Sequence, residues 1–273
     1  MAHLHLPTPS LLRHARCYYG FEETTGSPLR RCEGPGIDVI LVFSFGPEWR
    51  IGSAHEPAGR WERHTSFVAG LHESAVLTEH DGHSVGMQVS LSPPGAYALL
   101  GLPMNELAGV TIDLEDVLEH GSQLSEQLAG LNNWAERFKL LDLALGSRLE
   151  NARPPSPCVE WAWGWLVRTH GCARVGFLAA ELGWGRKRLG ARFREQIGLS
   201  PKSAARMLRF EHVKAVLQRD DHPPLAEVAQ VCGYYDQAHL TNEVHRITGV
   251  APSVYRAELR GETNLQDARA RSS

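Results

Sequence analysis

The strongest constraint on the fold of this chain is an internal repeat in its last third. Two short apolar segments each carry an alanine four residues before a glycine. Ala179 and Ala229 are 50 residues apart, and so are Gly183 and Gly233. A polar turn and then a second amphipathic stretch follow each glycine. The repeat therefore predicts two copies of one helix-turn-helix unit.

The residue types in each copy fit the geometry of two crossed helices. A close crossing needs a small residue, which the alanine supplies, and the tight turn favours glycine because its φ can be positive. The second helices are predicted at 186–197 and 237–247, where apolar residues recur at helical spacing and indicate one buried face. These stripes are Leu189, Phe193 and Ile197 in the first copy, and Leu240, Val244 and Ile247 in the second. Between the copies, 202–218 predicts one connecting helix.

Charge is divided unevenly along the chain, whose formal net charge is −3. Residues 1–150 hold 10 Lys and Arg against 19 Asp and Glu, whereas residues 151–260 hold 16 against 10. Such asymmetry is typical of a nucleic-acid-binding part joined to another domain, and chance segregation of surface charge is the alternative. There is no apolar run of about 18 residues and no secretory signal, so we expect a cytoplasmic protein without a membrane partner.

A cluster of prolines divides the two parts. Pro154, Pro155 and Pro157 interrupt any helix or central strand, and we place the domain boundary there. Before it, the patterns predict strands at 37–45 and 85–92, and a helix at 122–150.

The predicted fold class is α+β overall. A β-rich N-terminal domain that ends in a helix occupies 1–152, and we expect it to act in sensing or dimerisation. An all-α domain with two helix-turn-helix units follows at 158–260. Residues 261–273 lack an apolar pattern and predict a disordered tail.

Two stretches carry a resemblance to a known family. The first is LAAELGWGRKRLGARFREQIGLSPKSAARMLRFEHVKAVL; the second is GYYDQAHLTNEVHRITGVAPSVYR, with its ending GV-x-P-S-x-Y-R. Through them, residues 158–258 resemble the AraC/XylS family of transcriptional regulators. The resemblance implies seven helices and two recognition helices in adjacent major grooves of one DNA site. It also implies which residues lie at the DNA. These are Arg186, Lys187, Gly190 and Ala191 of the first copy, and Gln237, Ala238, Thr241 and Asn242 of the second. Arg188 and Arg194 add exposed cations to the first recognition helix.

The chain departs from the family pattern at several of these positions. Asn242 stands where members often carry arginine, and Val244 where phenylalanine is usual. Gly185 replaces the serine or threonine that commonly caps the first recognition helix. Gly190 and Ala191 offer little side chain for reading bases.

For the N-terminal half the resemblance implies a ligand-sensing or dimerising domain, with 94–118 as its most family-like stretch. The predicted partners are double-stranded DNA, a small-molecule effector, a second copy of the chain and RNA polymerase. No cofactor and no metal are expected.

The alternative function is a DNA-binding domain fused to an enzymatic or reactive-thiol sensor domain. Cys17 or Cys32 would be the sensor thiol, although five widely spaced cysteines without a CxxC pair fit ordinary reduced thiols. His80 and His83 could hold a metal, and a solvated turn is the other interpretation. The acids Asp113, Glu115 and Asp116 could form a carboxylate cluster, but the start of a helix is the simpler explanation. No HExxH, phosphate loop or GxSxG is present, so no catalytic residue is predicted.

Overall fold

The computed structural model describes residues 2–150 and 152–260. Ten strands and four helices form the N-terminal half. The strands are β1 (Ala2–His5), β2 (Ala15–Thr24), β3 (Leu29–Glu33), β4 (Val39–Ser44), β5 (Trp49–Ser53), β6 (Trp61–His64), β7 (Phe67–Ala69), β8 (Val76–His80), β9 (His83–Leu91) and β10 (Thr111–Asp113). They make a six-stranded sheet in the order β1-β2-β9-β4-β7-β10 and a four-stranded sheet in the order β3-β8-β5-β6. All pairings are antiparallel.

Eleven α-helices follow or interrupt the strands in the described ranges. They are α1 (Pro93–Leu100), α2 (Leu114–Val117), α3 (Gly121–Gly130), α4 (Trp134–Glu150), α5 (Pro157–Arg168), α6 (Val175–Glu181), α7 (Arg186–Ile197), α8 (Pro201–Leu217), α9 (Leu225–Val231), α10 (Gln237–Thr248) and α11 (Pro252–Leu259). A 3-10 turn occupies Met104–Glu106. The β-rich half followed by an all-α half with two helix-turn-helix units confirms the predicted fold class. None of these helices is both long and apolar enough to cross a membrane.

The six-stranded sheet has two apolar faces because its central strands are buried on both sides. In β4, Leu41 and Phe43 belong to the main core with α1 and α4. Their neighbours Ile40 and Val42 point to the other face, since successive side chains alternate across a strand. There Val42 packs with Ile51 of the smaller sheet. The two sheets therefore form a sandwich, and helices cover the outer face of the larger one.

The predicted strands at 37–45 and 85–92 are confirmed as β4 and β9. The single helix predicted at 122–150 is wrong, because α3 and α4 are separate helices. Gly130 ends α3, and the side chain of Asn133 accepts a hydrogen bond from Glu136 N at 2.8 Å. Glycine is a weak helix former and asparagine favours a cap, so the chain breaks there. The predicted tail at 261–273 lies outside the described residues.

One apolar core runs from the N-terminal half into the first helix-turn-helix unit. Helix α7 packs against α1 and the Met104–Glu106 turn. At the end of α7, a Cβ on Gly198 would lie 3.0 Å from the Met104 carbonyl oxygen. Gln196 Oε1 accepts a hydrogen bond from Ser156 N at 2.8 Å, so α7 also contacts the proline cluster that contains Ser156. The second unit has its own core, against which Cys32 of β3 packs.

Candidate DNA-binding surface

The two repeated units have the same local geometry. In the first, α6 crosses α7; in the second, α9 crosses α10. Ala179 and Ala229 are both buried, as a close crossing requires. Gly183 has a φ of 61° and Gly233 a φ of 73°, so both turns use the left-handed region that glycine tolerates. The predicted repeat is confirmed.

Equivalent backbone hydrogen bonds close both turns. Trp184 N donates to Ala179 O at 2.9 Å, and 50 residues later Tyr234 N donates to Ala229 O at 2.9 Å. These bonds satisfy carbonyl groups that the end of a short helix would otherwise leave unpaired. The angle between the helices of each unit is thus set by the backbone as well as by packing.

The buried faces of α7 and α10 are those that the periodicity predicts. Leu189, Phe193 and Ile197 are fully buried in the first unit, and Leu240, Val244 and Ile247 in the second. Phe193 lies beside Trp163 of α5, with 6.4 Å between ring centroids. Each helix therefore has one face fixed in a core and the other free for a partner.

The free face of α7 is cationic. Arg186, Lys187, Arg188 and Arg194 are exposed, together with the small Ala191. None of the four cations forms an ion pair with any residue that the structure describes. The Arg188 guanidinium lies 4.5 Å above the Trp184 ring, which holds it near the start of α7. Gly185 caps the helix without a side-chain hydrogen bond. The start of α7 therefore lacks a side-chain cap, and its four exposed cations lack acidic partners among the described residues.

The free face of α10 is polar but uncharged at its start. Gln237, Ala238 and Asn242 are exposed, and Thr241 is half-buried. Asp236 caps this helix, since its Oδ1 accepts a hydrogen bond from His239 N at 2.7 Å. Next to it, Tyr235 is 93% exposed. Neither residue is among the predicted site residues, although an aspartate before an amphipathic stretch is a recognisable cap signal.

The connecting helix α8 fixes the second unit relative to the rest of the molecule. Ser200 caps it by accepting from Ser203 N at 3.0 Å. In its middle, Arg206 bonds Glu73 of the N-terminal half and lies near Glu243 of α10. The predicted helix at 202–218 is confirmed, and it also contacts the N-terminal half.

A large cavity of about 1020 Å³ lies between the two sheets of the N-terminal half. The aromatic rings of Phe21, Trp49 and Phe67 line its apolar part. Glu211 and Lys214 of α8 line it as well, so the connecting helix closes one side of the cavity. A molecule bound there would touch the helix that joins the two helix-turn-helix units.

The other candidate residues have local structural roles. His80 and His83 flank a turn between β8 and β9, as predicted, but only His83 is solvated, because His80 is 3% exposed and lies beside Glu23. Asp113 precedes α2 and accepts from His64, and Glu115 and Asp116 lie in the first turn of that helix. In the described ranges, no three His, Cys, Asp or Glu side chains could together hold a metal ion. Of the candidate thiols, Cys17 and Cys32 are half-buried.

Two helix-turn-helix units with exposed second helices form the kind of surface that enters the major groove of DNA. The helix-turn-helix domain family matches residues 178–258. This part of the chain is an AraC-type helix-turn-helix domain. No curated protein matches this sequence.

The chain is similar to several solved structures. The C-terminal domain of AraT, a response regulator from Geobacillus stearothermophilus, is 22% identical, with a TM-score of 0.36 over 38% of this chain and 87% of that domain. An apo variant of ToxT from Vibrio cholerae is 11% identical, with a TM-score of 0.49 over 93% of this chain and 100% of that one. Wild-type ToxT with a bound unsaturated fatty acid is 14% identical, with a TM-score of 0.48 over 88% and 99%.

Proposed function

We propose that this protein is a sequence-specific transcriptional regulator that inserts α7 and α10 into one DNA site. The observation that carries the proposal is the repeated unit itself. Each copy buries one face of its second helix and leaves the opposite face without a partner among the described residues. Exposed second helices of this kind enter the major groove in helix-turn-helix proteins.

The side chains on the two free faces suit different parts of DNA. Arg186, Lys187, Arg188 and Arg194 would neutralise phosphates and release counterions. Gln237 and Asn242 have amide groups that can make paired hydrogen bonds with adenine. Ala191, Ala238 and Thr241 are small enough for close approach, and a thymine methyl is a suitable contact for them.

We also propose that the N-terminal domain, at 1–152, senses a small molecule and passes the signal to the domain at 158–260. The cavity between the sheets supports this, because Glu211 and Lys214 of α8 line it. Occupancy of the cavity would shift the position of α8 and hence the separation of the recognition helices. A homodimer and a contact with RNA polymerase stay predictions.

Titration of the full chain against its own upstream DNA tests DNA binding. We expect Arg188→Glu together with Arg194→Glu to weaken binding by about a hundredfold, because each change replaces an attraction to phosphate with a repulsion. The matched control is Arg60→Glu together with Arg63→Glu, on exposed strand-region arginines of the N-terminal half.

The control variant should keep its affinity. An equal loss of DNA affinity in both double variants would mean that the net charge of the chain, and not the position of the arginines, causes the effect. A folded wild-type chain without affinity for any duplex at low salt would refute the proposal. Repeating the titration with a metabolite extract tests the sensing role. An affinity that no extract fraction changes would count against it.

A further inference from the structure

The cavity between the two sheets has a continuous aromatic wall. The rings of Phe21 and Trp49 meet edge to face at 90°, with 6.1 Å between centroids. Trp49 and Phe67 meet in the same way at 68° and 6.4 Å. Val42 and Ile51 complete the apolar cluster. This wall can cover the apolar body of a ligand, and aromatic faces also attract cations.

The cations that line the cavity are already matched by acids. Arg31 Nη2 lies 2.7 Å from Glu23 Oε1, and Lys214 Nζ lies 2.9 Å from Glu211 Oε1. Glu33 has no ion pair with any residue in the described ranges. Crowding by neighbouring atoms raises the pKa of Glu33 above its usual value, although Arg31, Lys214 and Thr78 oppose this shift and the residue itself is exposed. The residues that line the cavity therefore include more carboxyl groups than cations: Glu22, Glu23, Glu33, Asp38 and Glu211 against Arg31 and Lys214.

Other polar atoms in the cavity wall are acceptors without a donor. Burial lowers the pKa of His72, and its ring donates to the Val110 carbonyl, which opposes that shift. Its Nε2 is buried without a hydrogen-bond partner, so a neutral ring offers a lone pair there. The hydroxyl of Ser84 is also buried and unpartnered, in a residue that is 3% exposed. Both residues line the cavity, where a ligand with N–H donors would satisfy them.

We propose that this cavity binds an amphipathic organic cation, whose protonated amine pairs with Glu33 and whose apolar body packs on Phe21, Trp49 and Phe67. An acidic ligand of the same shape would have to displace Glu23 or Glu211 from an existing ion pair. A cation requires no such exchange, because Glu33 has no ion pair with any of the described residues and the lining carries an excess of carboxyl groups. Binding of such a cation does not depend on the proposed function. Only its role as the effector rests on the proposed sensing function.

Three probes of one size and different charge test the proposal on the full chain. They are 4-phenylbutylamine, 4-phenylbutyrate and 4-phenylbutanol, titrated by calorimetry at neutral pH. We expect the amine to bind at least about tenfold more tightly than the carboxylate, with the alcohol between them. Trp49 fluorescence should change on binding, since the apolar body covers that ring.

Variants assign the charge preference to one residue. Glu33→Gln should weaken binding of the amine by about tenfold and leave that of the alcohol unchanged, because only the amine pairs with this carboxyl group. The control is Glu126→Gln, an exposed carboxyl on α3 outside the cavity, and it should change neither affinity.

Two results would overturn the proposal. One is tighter binding of the carboxylate than of the amine, which would make Arg31 and Lys214 the groups that select the ligand. The other is no binding of the amine at about 5 mM by a chain whose DNA binding is intact. A folded wild-type chain that binds the amine but has no affinity for any duplex at low salt, with or without the amine, would contradict the proposed function and leave this proposal standing.

Discussion

Arg206 of the connecting helix contacts Glu243 of the second recognition helix, with 3.6 Å between Nε and Oε1. Its Nη2 also donates to Glu73 in the N-terminal half. The Glu243 side chain is only 13% exposed and pairs again with Arg246 at 2.8 Å. One guanidinium group therefore joins three parts of the molecule: the β-rich half, α8 and α10.

Removal of this guanidinium should destabilise the fold. Arg206→Ala leaves Glu243 largely buried with one cation instead of two, and we expect a loss of about 1–3 kcal/mol in the free energy of unfolding. Urea denaturation of the full chain measures it. The matched control is Arg192→Ala, whose pair with Glu195 lies at the surface of α7 and should contribute about 0.5 kcal/mol or less. Equal losses in the two variants would mean that Arg206 makes no special link.

Phe193 is expected to be the most sensitive position of the first recognition helix. It is fully buried, and Phe193→Ala should cost about 3–5 kcal/mol through lost burial and the cavity left behind. Arg194→Ala, one residue further on the exposed face, should change stability by no more than about 0.5 kcal/mol. Denaturation curves of both variants give the comparison. A cost below about 1 kcal/mol for Phe193→Ala would contradict the observed packing of α7.

The two turn glycines allow a test of the repeat with an internal control. Both have positive φ, so alanine at either should cost about 1 kcal/mol. At Gly183 a Cβ meets nothing within 4 Å, whereas at Gly233 it would lie 2.6 Å from Cys172 Sγ. We therefore expect Gly233→Ala to cost more than Gly183→Ala in thermal unfolding. The difference in stability between the two glycine variants should shrink when Cys172→Ala removes the sulfur. If it stays the same, a contact other than the one with Cys172 causes it.

The two recognition helices are predicted to differ in how they hold DNA. Arg188→Ala or Arg194→Ala should weaken binding to every sequence and lower the slope of log affinity against log salt by about one. The reason is that each of these exposed cations would release about one counterion on contact with phosphate. Titrations at several salt concentrations measure the slope for operator and random duplex.

Gln237→Ala and Asn242→Ala should behave differently. We expect a loss of about 1–3 kcal/mol at the specific site and a relaxed base preference there, because amide groups read bases. The salt slope should remain that of the wild type. If Asn242→Ala weakened binding to operator and random duplex equally, Asn242 would contact the backbone and the division between the helices would be wrong.

The helical half could be predicted in detail from the sequence because its signals are local. The stripe of Leu189, Phe193 and Ile197 determines both the extent of α7 and its buried face. The turn after α6 needs positive φ at one position, and glycine occupies it. Gly130 and Asn133 show the limit of this reasoning, since the apolar period continues across the break between α3 and α4.

The β-rich half could not be predicted to the same degree because its pairings join distant residues. Tyr18 pairs with Val89, and nothing near either residue specifies that register. The cavity depends on this assembly as well. Glu33 lies on a strand of the small sheet and Glu211 on a helix of the other half, so their common position at the cavity follows only from the complete fold.

The packing of α7 on the Met104–Glu106 turn has a consequence for protein engineering. A chimera joined at Pro154 and Pro155 would remove the native N-terminal half from the apolar side of α7 and place a foreign sensor there. The replacement would need its own equivalent of the Met104 carbonyl at Gly198. The apolar contacts change from one core to the other between Leu208 and Phe210 of α8. Exchange of parts should therefore succeed when the junction is moved into α8 and the first helix-turn-helix unit travels with its sensor.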